Sequence, residues 1–139
     1  RPNMAISNFV SRCINGEAPI VYGDGTQTRD FTFIDDVVRA NVALLYTDAA
    51  DGEAVNIGSG DNIAIQTLAE VIRDQIDGTL EITYDERHAA DADHTHADVS
   101  KARELIGYEP SRSIREGVRE FVDWYQENRS WYEPLVLDS

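Results

Sequence analysis

The stretch Gly23-Asp24-Gly25-Thr26-Gln27-Thr28-Arg29-Asp30-Phe31-Thr32-Phe33-Ile34-Asp35-Asp36 constrains the fold most. It joins a glycine-rich turn, an alternating run and two acids that can start a helix. Glycines on either side of Asp24 admit positive backbone angles and the close approach of a ligand. The alternation predicts a strand over Arg29 to Ile34. Asp35 or Asp36 then caps a helix running to about Leu45, with Val37, Val38, Leu44 and Leu45 on one face, interrupted only by Asn41. Just beyond the turn, the planar guanidinium of Arg29 can meet a pair of phosphate oxygens through two parallel hydrogen bonds, or it can stand as a solvated surface charge.

Periodicity extends the reading along the chain. A helix is expected from about Asn3 to Ile14, ended by Asn15-Gly16, then a short strand Ile20 to Tyr22 before the glycine turn. Ala54 to Ile57 reads as a buried strand, Ile65 to Ile76 as a helix with Leu68, Val71, Ile72 and Ile76 inward, and Leu80 to Tyr84 as another strand. Asp98 caps a short helix ending before Gly107, and Ser113-Ile114-Arg115-Glu116 forms a capping box for a last helix over about Ile114 to Glu127. The tail from Arg129 to Ser139 packs back or frays. Helices and strands in this order make an α/β domain spanning residues 1–139, with a small mixed sheet.

Charge narrows the partners. With 26 acidic against 12 basic residues the net charge is −14, which argues against nucleic acid and anionic membrane surfaces. All the basic residues but Lys101 are arginine, and lysine scarcity beside acid excess points to a salt-rich cytoplasm. No window approaches 18 apolar residues and no basic-then-apolar leader pattern opens the chain, so an intracellular, cytoplasmic location is expected. Cys13 is the single cysteine and recurs with Ala5, Ile6, Phe9 and Val10 at helical spacing, as a core thiol does.

The run Ala18-Pro19-Ile20-Val21-Tyr22-Gly23-Asp24-Gly25, with Gln27, Arg29-Asp30-Phe31 and Asp36-Val37-Val38, resembles the extended short-chain dehydrogenase/reductases that act on nucleotide sugars. That is the NAD-dependent epimerase/dehydratase family, with UDP-glucose 4-epimerases the nearest group. The resemblance continues through Val55-Asn56-Ile57-Gly58-Ser59-Gly60 and Thr95-His96-Ala97-Asp98-Val99-Ser100-Lys101-Ala102 to Leu105-Ile106-Gly107-Tyr108-Glu109-Pro110. Two family signatures are absent. There is no Gly-x-x-Gly-x-x-Gly Rossmann fingerprint, and the residue four before Lys101 is Ala97, so no Tyr-x-x-x-Lys pair exists. The chain thus looks like the C-terminal, substrate-binding part of a longer enzyme, and a piece of a larger fold is expected to leave an apolar patch uncovered.

The resemblance implies a parent that epimerises a UDP-hexose at C4, with NAD taking and returning hydride and a tyrosine as base. A dTDP-glucose 4,6-dehydratase or UDP-xylose synthase is the alternative parent. It implies NAD held by an N-terminal Rossmann half, a nucleotide-sugar substrate and a homodimer, with this chain inactive alone. It places the backbone of Ile20, Val21 and Tyr22 along the nucleotide base, with Tyr22 beside the ring or in the core, and assigns Arg29 to the diphosphate. A second phosphate contact falls to Arg87 or to His88, since the usual Arg-x-Gly-Asp pattern is displaced by one residue ahead of Asp91. Asn3 borders the sugar or diphosphate, or caps the first helix, while Asp30 and Asp36 fix the loop and cap the helix. Two rivals stand beside this: a stand-alone nucleotide-diphosphate-binding module, and a metal site built from His88, Asp91, Asp93, His94 and His96.

Overall fold

The computed structural model describes residues 4–86 and 92–137. The order is α1 (Ala5–Ile14), β1 (Ile20–Tyr22), β2 (Thr28–Arg29), α2 (Ile34–Leu45), β3 (Ile63–Ala64), α3 (Ile65–Ile76), β4 (Thr83–Asp85), α4 (Ser100–Ile106) and α5 (Ile114–Leu137). β1 pairs with β4 in parallel, Val21 opposite Tyr84, and β2 pairs with β3 antiparallel, Arg29 opposite Ile63. Among the described residues the small mixed sheet expected takes the form of two separate two-stranded sheets, one parallel and one antiparallel.

The main core forms where the apolar faces of α1, α3 and α5 meet β1. Phe9, Val10 and Cys13 pack with Leu68, Ala69, Val71 and Ile72, and with Val21, Val118, Val122 and Tyr125. Burial raises the Cys13 thiol to about 11, against the neighbouring Arg12 charge, so it is an inert core group. A smaller cluster of Ala40, Val99, Ala102 and Tyr108 joins α2 to α4.

Caps that depend on neighbours in sequence form as read. Asn15 and Gly16 end α1, the latter at φ +73°, and Gly107 ends α4 at φ +62°. Ser113 Oγ donates to Glu116 Oε2 at 2.6 Å while Glu116 N–H reaches back to Ser113 Oγ at 3.4 Å. Asp98 accepts from Ser100 N–H at 2.9 Å at the start of α4.

Four expectations are corrected by tertiary contacts. Of the predicted Arg29 to Ile34 strand only Arg29 is paired, in β2 with Thr28 before it, because Asp30 turns away to bond elsewhere and Ile34 already begins α2. Ala54 to Ile57 joins no ladder: Val55 and Ile57 lean on the small cluster while Ala54 and Asn56 are exposed. The predicted Leu80 to Tyr84 strand is displaced to Thr83–Asp85, since Leu80 and Ile82 pack against the core instead. Finally, α5 runs past Glu127 to Leu137 through Pro134. Its last turns are held by the Arg129–Glu133 ion pair, by Tyr132 edge-on to Tyr125 at 5.4 Å between centroids, and by Tyr132 Oη with Ser7 Oγ at 3.2 Å.

Asp36 does not cap α2. It is 2 % exposed and accepts from Ser111 N–H at 3.0 Å, from Ser111 Oγ at 2.6 Å and from Arg39, tying α2 to the loop before α5. Burial alone would raise its carboxyl, but the bonds from Ser111 and Arg39 hold it below the ordinary value. The folded chain thus binds the proton less tightly than the unfolded one, so this contribution is complete above the unfolded carboxyl value near ~4 and is lost as pH falls below it. Urea midpoints should be level near neutral pH and fall in acid, and Asp36→Asn should cost about 1.5 kcal/mol at pH 7 while flattening the acid limb.

The uncovered patch lies on α2. Ile34, Val38, Val42 and Leu45 are 64, 51, 47 and 80 % exposed, on the side opposite buried Asp36 and Ala40, with Tyr46 beyond them. No helix among the described residues is long and apolar enough to cross a membrane.

Candidate functional site

The glycine turn serves the scaffold before it serves any ligand. Gly25 has φ +78°, and a Cβ there would stand 2.7 Å from Gln66 Cβ, so its close approach is to α3. The carbonyls of Gln27 and Gly25 accept from Ile65 and Gln66 N–H at 3.0 Å each, satisfying the first turn of α3, which has no side-chain cap. Asp24 Oδ1 closes the turn on Thr26 N–H at 2.9 Å. The loop thereby delivers Gln27 and Arg29, two residues apart, to the rim of one hollow.

That hollow, about 260 Å³, is lined by Ile20, Tyr22, Gln27, Arg29, Phe31 and Ile65 on one side and by Met4, Ala5, Asn8 and Phe9 on the other. Three of the predicted residues, Ile20, Tyr22 and Arg29, meet there. Tyr22 is 37 % exposed rather than core-facing, and Gln27 Nε2 donates to its carbonyl at 2.6 Å. Val21 is fully buried in the main core and is not among the lining residues. Arg29 also lines a second hollow of about 290 Å³ with Ser59, Asn62, Arg112 and Ser113. Its Nη1 donates to Thr28 O and its Nη2 to Ala92 O, both at 2.7 Å, so the guanidinium is half-buried and oriented by backbone.

Asp30, next to Arg29, ties two distant segments together. Its Oδ1 accepts from Ser59 N–H at 2.8 Å and Ser59 Oγ at 2.6 Å, and its Oδ2 from Ala97 N–H at 3.1 Å. Burial pushes its carboxyl up, but the Ser59 and Ala97 donors and the nearby His96 bring it below the usual range. Gly58-Ser59-Gly60 does not fit a dinucleotide pyrophosphate. Ser59 N–H is spent on Asp30, a Cβ at Gly58 would meet Ala97 Cβ at 2.4 Å, and Asp61 adds negative charge.

Asn3, Arg87, His88 and Asp91 lie outside the described residues. Among the described residues no group of three or more His, Cys, Asp or Glu side chains could hold a metal, and His94 Nδ1 is bonded to Thr28 Oγ at 3.0 Å. Sequence reading did not single out Gln27, Asn8, Phe31 or Arg112 as site residues. Gln27 carried a signal, its place in the motif just before Arg29. Arg112 carried none, because only the α5 approach brings it near Arg29.

The sequence model described as GDP-mannose 4,6 dehydratase matches residues 2–121. The UDP-glucuronate 4-epimerase of Thermodesulfobacterium geofontis is 42 % identical over 130 residues, 92 % of this chain and 39 % of that one. UDP-glucuronic acid decarboxylase 1 of Arabidopsis thaliana is 37 % identical over 117 residues, 84 % of this chain and 26 % of that one. Among solved structures, an epimerase from Methanothermobacter thermautotrophicus superposes with TM-score 0.89 at 33 % identity, covering 99 % of this chain and 40 % of that one. The Bacillus cereus UDP-glucuronic acid 4-epimerase, solved with UDP-glucuronic acid and NAD, gives 0.85 at 31 % identity, covering 92 % and 41 %. The chain spans about two fifths of the length of the first of these relatives.

Proposed function

Because the chain belongs to the NAD-dependent epimerase/dehydratase family, we propose that it forms the substrate-binding domain of a nucleotide-sugar epimerase and anchors the nucleotide diphosphate of a UDP-hexose. The observation that carries this is the convergence of Ile20, Tyr22, Gln27 and Arg29 on one hollow beside α1. The β1 backbone, Ile20 to Tyr22, lies along the uracil edge, Tyr22 flanks the ring, and the Arg29 guanidinium takes the diphosphate. Asn3 borders the sugar or the diphosphate, and Arg87 or His88 supplies a second phosphate contact. Fixing this remote anchor orients the reacting carbon, which can be worth several kcal/mol of barrier.

No Tyr-x-x-x-Lys pair is present, and the Gly58–Gly60 turn does not fit a dinucleotide. NAD binding and the catalytic base are therefore assigned to the additional length that the relatives carry, as is the reading of the sugar. That Rossmann half is the partner of this domain, within a homodimeric, cytoplasmic parent. The exposed α2 stripe supports such a partner, since an apolar face of that kind is seldom left to water. A decarboxylase or dehydratase parent is the second reading. It is favoured by the similarity to the Arabidopsis decarboxylase.

Calorimetric titration with UDP, uridine and GDP tests the anchor. UDP should bind more tightly than either of the others, and a lack of preference for UDP would exclude it. Mixing the chain with UDP-glucose and NAD should give no turnover. For the acid-rich composition we expect potassium chloride to raise the melting temperature by screening self-repulsion. A melting temperature that stays level or drops across the salt series would remove the salt-rich setting.

A further inference from the structure

We infer that Asp30 is a positioning residue for the diphosphate anchor, the carboxylate that clips the segment holding the Arg29 guanidinium in place. The inference rests on the role proposed for Arg29 and adds to it. Residues 92–97 run beside β2: Thr28 N–H donates to Asp93 O at 2.9 Å, Thr95 N–H donates to Thr28 O at 3.0 Å, and Ala92 O receives Arg29 Nη2 at 2.7 Å. The segment is tied to β2 by the bridge of Thr28 with His94, by Thr28 Oγ with His94 Nδ1 at 3.0 Å and by Asp30 N–H donating to Thr95 Oγ at 3.3 Å, and Ala97 at its far end leans on the small apolar cluster. The Asp30 carboxylate adds a polar tie at that far end through Ala97 N–H, while its other oxygen draws in Ser59, a wall of the second hollow at Arg29. One carboxylate thus joins three segments distant in sequence around the side chain next to it.

Positioning and simple electrostatics predict opposite signs. Neutralising a carboxylate beside an anion site should strengthen binding of a diphosphate if charge alone mattered. If Asp30 positions Arg29, Asp30→Asn should instead weaken UDP binding about tenfold, because one oxygen becomes a donor facing the Ala97 or Ser59 N–H. Uridine, which has no diphosphate, should change by less than about twofold. In an Arg29→Ala background, Asp30→Asn should cost nothing further for UDP. Ser59→Ala, which leaves the charge and the Ala97 bond in place, should give a smaller loss in the same sense.

Tighter or unchanged UDP binding in Asp30→Asn would overturn the inference. So would an equal loss for UDP and uridine, or a full extra loss in the Arg29→Ala background. The Arg29 Nε–H resonance in 15N-correlated spectra gives a readout that needs no ligand. It should shift in Asp30→Asn, and an unmoved resonance would overturn the inference. Absence of UDP binding by the unsubstituted chain would sink the proposed function, and that resonance alone would then decide the role of Asp30.

Discussion

Arg29→Ala is expected to weaken UDP binding by about 10- to 100-fold, the equivalent of losing a charge-assisted contact of roughly 1.5–3 kcal/mol. The side chain is half-buried at the meeting of two hollows, and the carbonyls of Thr28 and Ala92 already direct its guanidinium. An arginine held in this way loses little rotamer freedom when it meets a diphosphate, unlike one waving in solvent. Uridine affinity should be almost unchanged, since the base is assigned to β1 and Tyr22. Arg29→Lys should recover only part of the loss, because an ammonium keeps the charge without the planar pair of donors. Calorimetry with both ligands reads all of these. Equal affinity of the Ala variant and the parent chain for UDP would remove Arg29 from the site.

Gly58→Ala should be strongly destabilising. Its Cβ would lie 2.4 Å from Ala97 Cβ and 2.8 Å from Asp30 Oδ2, and neither neighbour is the tip of a long side chain that could swing aside. Overpacking of this kind costs about 1–3 kcal/mol, and here it also pries Ala97 N–H from Asp30. A melting temperature lower by roughly 10 °C is expected. Ala97→Gly removes the struck methyl, so the double variant should regain much of the loss. Gly78→Ala provides the contrast: nothing lies within 4 Å of its added Cβ, and stability should move by less than about 0.5 kcal/mol. If Gly58→Ala melts like the unsubstituted chain, the tight junction described here is absent.

What could be read from the sequence was local. α3 occupies Ile65–Ile76 as its 3.6-residue period requires, the Ser113–Glu116 box forms, and Asn15-Gly16 ends α1, since each depends on residues within four positions of one another. The site was legible as a list. The motif around Arg29 picked out Ile20, Tyr22 and Arg29, but their convergence beside α1 needed the turn at Gly25 to lock onto Gln66. Val21 shows the opposite limit, a residue inside the same motif whose side chain is taken by the core.

The sequence by itself determined which segments coil and, for α1, α3 and α4, where they stop, together with the order of elements that makes the chain α/β. Tertiary structure alone decided the distant partners of polar groups. Asp36 reads as a helix cap and is instead a buried tie to Ser111, 75 positions away. Asp30 reads as a residue that fixes the loop, but its partners there, Ser59 and Ala97, come from distant segments, while Ala54 to Ile57 has the composition of a strand and no ladder to join. The physical reason is the same in each case. Helical periodicity and capping are satisfied within a turn or two of chain, whereas a carboxylate or a strand edge takes its energy from whichever donor the fold brings to it.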